Sequence, residues 1–265
     1  MRLKSSTKKP EIAIIGGTGL ENFLKISEQI RIGTPYGIPP ALFLGNVEER
    51  MVIFLARHGL DHNIPPHKIN HRANIHALQQ LGVKRIIATN AVGAINETFK
   101  PGNLLIPHDF IDFTKSHPTT FYEDTPVIHV DLSQPYCPEI RKTLIAAAKR
   151  SKIEVFARAI LVCTSGPRFE TPAEVEMFRR LGGDLVGMTG VAEAIFSREL
   201  EMCYANVCFV TNMAAGLQKR LTTREVADNA EKIRSVFEKL LSETIRTIPH
   251  DRNCPCVHAL KNARF

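Results

Sequence analysis

Glycine and polar side chains follow three short apolar runs of this chain, at points where a buried strand would end. The first run leads into residues 16–20, whose glycines let backbone N–H groups approach an anion and whose Thr18 adds a hydroxyl donor. The second leads into Arg57 and His58, and a guanidinium is shaped to hold phosphate through two parallel hydrogen bonds. The third leads into residues 90–93. Together these strand ends predict a site for phosphate or a phosphorylated substrate.

Two later segments are polar although their neighbours are apolar. Residues 165–171 join a predicted strand to a predicted helix, and residues 210–216 follow the most apolar run of the chain. A buried amide without a hydrogen-bond partner costs roughly 1–3 kcal/mol, so Asn212 in the second segment needs partners. Those partners are either the backbone of a turn or a bound ligand, and the residue types alone leave both interpretations open.

Dinucleotide and metal chemistry are disfavoured by spacing. A dinucleotide fingerprint requires glycine where the chain has Asn22, so a nicotinamide-dependent dehydrogenase is not expected. Histidines four residues apart occur twice within residues 58–71, but Pro65-Pro66 interrupts any shared helix. Cys254-Pro255-Cys256 has neither a histidine nor a second cysteine pair at zinc spacing, which leaves a local redox clip or a plain pair of thiols. We therefore expect no metal.

The composition is that of an ordinary globular protein, with 44% hydrophobic and 23% charged residues. The net charge of +7 raises the question of nucleic acid binding, but part of the excess lies in residues 1–10 and the chain contains no tryptophan and no nucleic-acid motif. No apolar run approaches the ~18 residues of a membrane span or the ~7–15 of a signal peptide. We expect a cytoplasmic protein without nucleic-acid or membrane partners. A basic nucleotide-binding module without catalysis is the alternative to an enzyme.

Short apolar runs alternate with helical patterns along the chain, which predicts one α/β domain. The predicted strands are Ile12–Ile15, Met51–Ala56, Arg85–Thr89, Leu104–Ile106, Val155–Cys163 and Tyr204–Thr211. Helical spacing covers residues 74–82, 140–148, 173–181 and 192–200. A last helix opens with Thr222 and Glu225, which form a predicted capping box, and stops at Pro249. Ligands of such sheets lie at the carboxyl ends of strands.

Six segments, in this order and spacing, resemble the trimeric purine nucleoside phosphorylase and methylthioadenosine phosphorylase family. They are residues 15–20, 56–59, 65–74, 90–93, 166–169 and 186–189. The resemblance covers residues 11–248, between a basic tail at 1–10 and a C-terminal extension at 249–265. It implies a single α/β domain with a mixed central sheet flanked by helices. The activity that it implies is reversible cleavage of a purine nucleoside by phosphate.

The resemblance also implies roles for individual residues. Phosphate is expected to contact Thr18, Arg57, His58, Asn90, the Ala91 backbone and Thr189. Phe169 is expected to stack on the purine and Met188 to pack on the ribose. The catalytic candidates are His58 and Asn212, whose amide would donate to N7 of the departing base. Inorganic phosphate is the implied co-substrate, with no cofactor, and the implied assembly is a homo-oligomer, either a trimer or a dimer of trimers.

The family divides by the purine that its members accept. Adenine-type members resemble one another in carrying Asp-x-Asp after the last strand and Ser after Pro-Arg-Phe, where this chain has Asn212, Ala214 and Glu170. A 6-oxopurine carries a proton on N1 that a carboxylate accepts, whereas N1 of adenine is itself an acceptor. The resemblance therefore favours inosine and guanosine, with an S-methyl-5'-thioadenosine phosphorylase as the alternative.

The resemblance is less specific at the 5' end of the sugar and at the cysteines. Thr223 matches neither the histidine of members that take a 5'-hydroxyl nor the apolar residue of methylthio-specific members, and His129 is expected to approach from a neighbouring subunit. S-methyl-5'-thioinosine thus stays open as a substrate. The Cys-Pro-Cys sequence is similar to that of archaeal thermophilic members in which such cysteines form disulfides, and Cys137 and Cys203 fall where those members pair.

Overall fold

The computed structural model describes residues 9–17, 24–115, 118–124 and 126–264. In these ranges the elements are, in chain order, β1 (Ile12–Gly16), β2 (Lys25–Ile30), β3 (Leu42–Val47), β4 (Arg50–Ala56), α1 (His71–Gln80), β5 (Arg85–Ala94), β6 (Leu104–Leu105), β7 (Asp109–Phe113), α2 (Pro138–Ser151), β8 (Ile160–Thr164), α3 (Pro172–Arg180), β9 (Leu185–Gly187), α4 (Gly190–Glu199), β10 (Cys203–Met213) and α5 (Thr223–Thr247). Among the helices so described, none has the length and hydrophobicity needed to cross a bilayer.

All ten strands belong to one mixed sheet. Its order is β2-β3-β4-β1-β5-β9-β8-β7, and β10 pairs with β5 and β6 outside this path. Strand β1 runs parallel to β4 and β5, and β10 runs parallel to β5. Antiparallel pairs join β2 to β3, β3 to β4, β5 to β9 and β6 to β10. The predicted α/β class with a mixed central sheet is confirmed.

Helices cover both faces of the sheet. Successive residues of a strand point to opposite sides, and in β1 the residues on both sides are apolar and need a covering layer. On β1, Ile12 and Ile14 belong to the apolar cluster that α2 and α5 complete. Ala13 and Ile15 belong to the opposite cluster, which α1 and α4 complete. All four residues are buried, so β1 lies at the centre of the fold and its carboxyl end is held from both sides.

The predicted strands are present, with two differences that matter for the site. The run predicted as Val155–Cys163 begins only at Ile160, and the last strand continues to Met213. A register shift between Val210 and Asn212 marks a β-bulge. Asn212 therefore lies within the irregular end of β10, where a bulge changes the direction of a side chain.

The C-terminal segment packs back onto the domain. The guanidinium of Arg85, which has no exposed surface, donates to the carbonyl oxygens of His250 at 3.1 Å and Asp251 at 2.6 Å. Cys254 and Cys256 are buried beyond this point. Residues 250–256 are thus held against the start of β5.

The predicted capping box at the start of α5 is only half formed. Thr222 Oγ1 accepts from the N–H of Glu225 at 3.1 Å, but Glu225 Oε2 accepts from Gln218 Nε2 at 2.8 Å. A complete box occurs instead at α3. There the Glu174 N–H donates to Thr171 Oγ1 at 3.2 Å, and the Thr171 N–H donates to Glu174 Oε2 at 2.8 Å.

Thr171→Ala is expected to lower the free energy of unfolding by about 1 kcal/mol, because it leaves the Glu174 N–H without its acceptor. Urea unfolding followed by circular dichroism measures the change. Thr171→Ser keeps the hydroxyl and is the matched control, expected to stay close to the parent protein. Equal stability of the alanine variant and the parent would contradict the importance of this cap.

Candidate functional site

The carboxyl ends of β1, β4, β5 and β10 meet at one edge of the sheet, because these strands run in the same direction. The ends of β1 and β4 are joined directly, since the Arg57 N–H donates to the Gly16 carbonyl at 3.1 Å. Thr18, a predicted phosphate ligand, lies outside the described residues. Within β5 the other nine residues are buried, whereas Ala91 is exposed. The sheet is therefore open at Ala91, beside the predicted phosphate residues.

The Arg57 guanidinium is buried at this edge and most of its donors are engaged. Nε and Nη2 donate to the two carboxylate oxygens of Glu193 at 2.6 and 3.0 Å. Nη1 donates to the Thr89 carbonyl at 2.6 Å, and Nη2 donates also to the Ile15 carbonyl at 3.2 Å. Since a guanidinium has five N–H groups, one Nη1 proton is left. The two-pronged face expected to hold phosphate is thus occupied by Glu193.

Glu193 is a buried acid on α4 with two further neighbours. The Tyr204 hydroxyl donates to its Oε2 at 2.8 Å, and burial holds the pKa of Tyr204 well above its ordinary range, so this hydroxyl keeps its proton. His71 Nδ1 lies 3.9 Å from Glu193 Oε1. Glu193 therefore fixes the direction of Arg57 and joins β4 to α4 and β10.

His58 is neutral in the folded chain. Burial and the adjacent Arg57 charge lower its pKa from 6.5 to about 4. Its Nδ1 lies 2.9 Å from the Ile64 carbonyl oxygen, which can only accept, so Nδ1 carries the proton. Nε2 is then an acceptor, so His58 does not donate to phosphate through this atom. The His62 ring stacks on His58 with ring centroids 4.6 Å apart.

Asn90 and Thr189 come together although they are far apart in the sequence. Asn90 Nδ2 donates to Thr189 Oγ1 at 2.6 Å, and both residues are buried. Asn90 Oδ1 is buried without a hydrogen-bond partner among the described residues. Half a turn of the amide would let the Thr189 hydroxyl donate to Oδ1 and would free the Nδ2 donors. Thr189 also precedes α4, whose positive end favours a nearby anion.

The predicted base-binding residues lie on the loop after β8. Glu170 Oε1 accepts from the Thr164 hydroxyl at 2.7 Å, and burial raises the pKa of Glu170. Phe169 is half-buried. A methyl group on Gly166 would overlap the Met188 sulfur, so Met188 lies directly against this loop. The loop after β8 and the residues after β9 therefore form adjacent parts of one surface.

Asn212 is held in one orientation at the end of β10. Its Oδ1 accepts from the Thr211 hydroxyl at 2.8 Å, and its Nδ2 donates to the Met213 carbonyl at 2.9 Å. A methyl group on Gly93 would come within 3.1 Å of Asn212 Nδ2. Asn212 therefore borders the same stretch of β5 as Asn90, with one amide proton left for another acceptor.

Two predicted residues lie at the margin of this surface. Thr223 is exposed at the first position of α5, close along the chain to Gln218, whose Oε1 accepts from the Met213 N–H at 2.8 Å. His129 is exposed, and its backbone N–H donates to the Ala263 carbonyl at 2.9 Å. His129 thus lies beside the C-terminal segment, and its role at another subunit stays a prediction.

Sequence reasoning missed three residues that orient the predicted ligands: Glu193, Tyr204 and Thr211. The signal for Glu193 was present, because it is a charged residue within the apolar sequence Val-Ala-Glu-Ala-Ile-Phe. Such an acid is rarely buried without a partner. Nothing in the local sequence distinguished Tyr204 or Thr211 from ordinary strand residues.

The fold and this arrangement of strand ends have counterparts among known proteins. The Phosphorylase superfamily matches residues 11–246, and the chain belongs to that superfamily. The 6-oxopurine nucleoside phosphorylase of Pyrococcus furiosus is 51% identical, over 96% of this chain and 99% of its own. A probable S-methyl-5'-thioinosine phosphorylase of Methanopyrus kandleri is 48% identical, over 96% and 98%.

Solved structures agree with this family assignment. A methylthioadenosine phosphorylase from an antarctic soil metagenomic library superposes with a TM-score of 0.92 and 34% identity, covering 97% of this chain and 93% of the other. The Schistosoma mansoni methylthioadenosine phosphorylase in complex with adenine superposes with a TM-score of 0.91 and 30% identity, covering 97% and 99%.

The buried ion pair predicts a large effect of Glu193→Gln. This change leaves the Arg57 charge buried without its counter-charge, which costs about 3–5 kcal/mol of unfolding free energy. Adding Arg57→Met in a double variant removes the stranded charge and should restore part of that loss in urea unfolding. If the single variant is as stable as the parent, the pair does not hold these elements together.

The low pKa of His58 predicts an acid-sensitive fold. Because the folded chain takes up this proton only near pH 4 whereas the ordinary pKa is 6.5, the unfolded chain binds it first as the pH falls. Stability is therefore lost between pH 6.5 and pH 4, by up to about 3 kcal/mol from this residue. His58→Gln should flatten that decline in urea unfolding, while the exposed His67→Gln should not. An equally steep decline in both variants would contradict the assignment.

Proposed function

We propose that this chain cleaves 6-oxopurine nucleosides, with inorganic phosphate, into the free base and a sugar 1-phosphate. The observation that carries the proposal is the placement of a half-buried carboxylate, Glu170, and an oriented amide, Asn212, on the elements that border Asn90 and Thr189. The first group has the chemistry to bind a purine and the second to bind phosphate. The similarity to the Pyrococcus furiosus enzyme over nearly the whole of both chains supports the same activity.

Phosphate binding would use donors on four elements. Asn90 Nδ2, once its amide has turned, would donate to phosphate beside the Thr189 hydroxyl. Arg57 would contribute its remaining Nη1 proton and its charge, held in place by Glu193. Neutral His58 would accept the proton of hydrogen phosphate at Nε2, so that the charged oxygens point toward the sugar. Ala91, on the exposed part of β5, and Thr18 complete the proposed set.

In the reaction, a phosphate oxygen forms a bond to C1' of the sugar as the bond from C1' to N9 of the purine breaks. The electron pair of the broken bond goes to the purine. Positive charge that develops on the sugar is stabilised by the adjacent phosphate. The free amide proton of Asn212 would donate to N7 and stabilise the negative charge on the leaving base. A positioned donor of this kind is typically worth about 10²–10⁴ in rate.

Base preference follows from the donor pattern. Thr164 occupies Glu170 Oε1, which leaves Oε2 to accept the N1 proton of hypoxanthine or guanine. N1 of adenine carries no proton and would face the carboxylate as a second acceptor. A site with mispaired polar groups can reject a substrate by ~10⁴. Phe169 would stack on the purine and Met188 would contact the ribose.

The substituent at the 5' carbon of the sugar is the second part of the substrate to assign, after the base. Thr223 at the start of α5 is small and polar, and it leaves space for either a hydroxyl or a methylthio group. The Methanopyrus kandleri relative is named for S-methyl-5'-thioinosine, and we therefore include this nucleoside beside inosine and guanosine. His129 would reach this end of the site from another copy of the chain.

The setting of the enzyme is inferred in the same way. Phosphate would be a co-substrate, and no cofactor is required by the proposed chemistry. A homo-oligomer, either a trimer or a dimer of trimers, would bring His129 of one copy to the site of another. We place the enzyme in the cytoplasm and give it no nucleic-acid or membrane partner.

A parallel assay tests the proposed function. Inosine, guanosine, S-methyl-5'-thioinosine, adenosine and S-methyl-5'-thioadenosine are each incubated with the protein, with and without phosphate, and released base is followed by ultraviolet absorbance. Hypoxanthine or guanine released only with phosphate is expected. Faster cleavage of adenosine or S-methyl-5'-thioadenosine would overturn the base assignment. No release from any substrate would favour a nucleotide-binding module without catalysis.

Glu170→Gln tests the base contact itself. Loss of a hydrogen bond to a charged group costs roughly 1.5–3 kcal/mol, so kcat/KM for inosine should fall about 10- to 100-fold. Glu176→Gln, on the exposed side of α3, is the matched control and should leave kcat/KM unchanged. Asn212→Asp should lower inosine cleavage further, because a carboxylate cannot donate to N7. An unchanged kcat/KM for Glu170→Gln would remove that residue from the base site.

A further inference from the structure

Four cysteines meet at the end of the molecule opposite to the strand ends described above. Their sulfur atoms all lie within 4.8 Å of one another, and all four side chains are buried. The cluster, called the thiol cluster below, consists of Cys137, Cys203, Cys254 and Cys256. The sulfur atoms of Cys203 and Cys254 lie 3.3 Å apart.

The fold brings these cysteines together from three separate parts of the chain. Cys137 is the residue that precedes α2, and its N–H donates to the Tyr204 carbonyl at 2.7 Å, which places it beside the start of β10. Cys203 is the first residue of β10. Cys254 and Cys256 are carried to the same place by the C-terminal segment that Arg85 holds.

The size of the cluster fits one metal ion. A zinc ion bound to four thiolates at about 2.3 Å has neighbouring sulfurs about 3.8 Å apart in a tetrahedron, which lies within the 4.8 Å that limits the cluster. A site of four sulfur ligands that can close around an ion as a tetrahedron selects zinc or iron among the common ions. We propose that the thiol cluster is a structural binding site for a single Zn²⁺ ion.

The surroundings suit the charge of such a site. Zinc with four thiolates carries a net charge of −2, and Arg198, which is itself buried, lies within electrostatic range of Cys256. The positive end of the α2 dipole begins at Cys137 and favours a thiolate at that position. The remaining neighbours are apolar, because all four cysteines belong to the cluster that α2 and α5 complete. That environment excludes water from the proposed ion.

The proposal departs from the sequence-based expectation of no metal. That expectation depended on the lack of a second cysteine pair near Cys254-Pro255-Cys256, and the other two ligands come from distant positions that local spacing does not reveal. It departs also from the disulfides that the family resemblance suggested, because disulfides would join the same four sulfurs in pairs whereas a metal site keeps all four as thiolates. Disulfides and a metal site make opposite predictions for thiol counts.

The site would hold the C-terminal segment against α2 and β10. It lies about 30 Å along β10 from Asn212, at roughly 3.3 Å per residue, so the ion would take no part in the proposed reaction. Its removal should lower the temperature of unfolding by several degrees and leave kcat little changed at temperatures where the protein stays folded.

The test uses the full chain, expressed with zinc in the medium and purified under argon with neither reductant nor chelator. Metal content is measured by plasma mass spectrometry after gel filtration, and free thiols are counted in denaturant with chelator before any reductant is added. We expect about one zinc per chain and all six thiols titratable. Exchange with Co²⁺ should produce the visible and near-ultraviolet absorption of tetrahedral cobalt thiolate.

Variants separate this site from adventitious binding. The double variant Cys254→Ser, Cys256→Ser should lose at least ten-fold in zinc occupancy, whereas Cys163→Ala, which removes a buried thiol outside the cluster, should keep full occupancy. If the double variant does not fold, removal of zinc from the parent by chelator should lower its unfolding temperature, and added Zn²⁺ should restore it.

Two results would overturn the proposal. Absence of zinc with only two titratable thiols before reduction would assign the cluster to two disulfides. Absence of zinc with six titratable thiols, even after the reduced protein is incubated with Zn²⁺, would leave four ordinary buried thiols.

Discussion

The buried pair of Arg57 and Glu193 constrains the whole carboxyl edge of the sheet. Removing two such charges from water costs several kcal/mol per ion, and their attraction offsets that cost only when the geometry is close and the remaining donors are satisfied. The geometry is close, because the pair is bidentate, and the guanidinium also reaches the carbonyls of Thr89 and Ile15, so that a single Nη1 proton is left. With the Tyr204 hydroxyl included, five elements, namely β1, β4, β5, α4 and β10, are held to one arrangement.

This arrangement determines where the proposed phosphate ligands lie. Three residues of this network lie close in sequence to proposed phosphate ligands. Arg57 precedes His58, Thr89 precedes Asn90, and Glu193 lies one helical turn after Thr189. The pair thus fixes the backbones that carry these ligands, and the Asn90–Thr189 hydrogen bond joins two of them directly. Donors that are held in place before a ligand binds are what a preorganised phosphate site requires.

The sequence predicted the parts of the fold that short-range patterns encode. Apolar runs such as Ile12–Ile15 become fully buried strands, and polar residues after them converge because parallel strands end at one edge. Four strands were missed. The residues of β2 are exposed and mostly polar, and β9 has only three residues. Strand β7 contains two aspartates, and the apolar run of β3 is interrupted by Gly45 and Asn46. Part of the site was predictable for the same reason, because Arg57 and Asn90 stand at strand ends. The role of Glu193 was not, because it depends on a contact with Arg57, more than a hundred positions away.

Strand β10 connects the two features that local patterns could not reveal. It begins at the thiol cluster with Cys203 and reaches the proposed base site with Asn212. Charges separated by about 30 Å interact little when the Debye length is roughly 8–10 Å, so an ion at one end would not alter hydrogen bonding at the other by its field. The two ends are linked by contacts between neighbouring side chains. Tyr204, next to Cys203, contacts Glu193, and Glu193 holds Arg57. Tight attachment of the first residues of β10 therefore supports the phosphate side of the site through packing alone, not through the field of a bound ion.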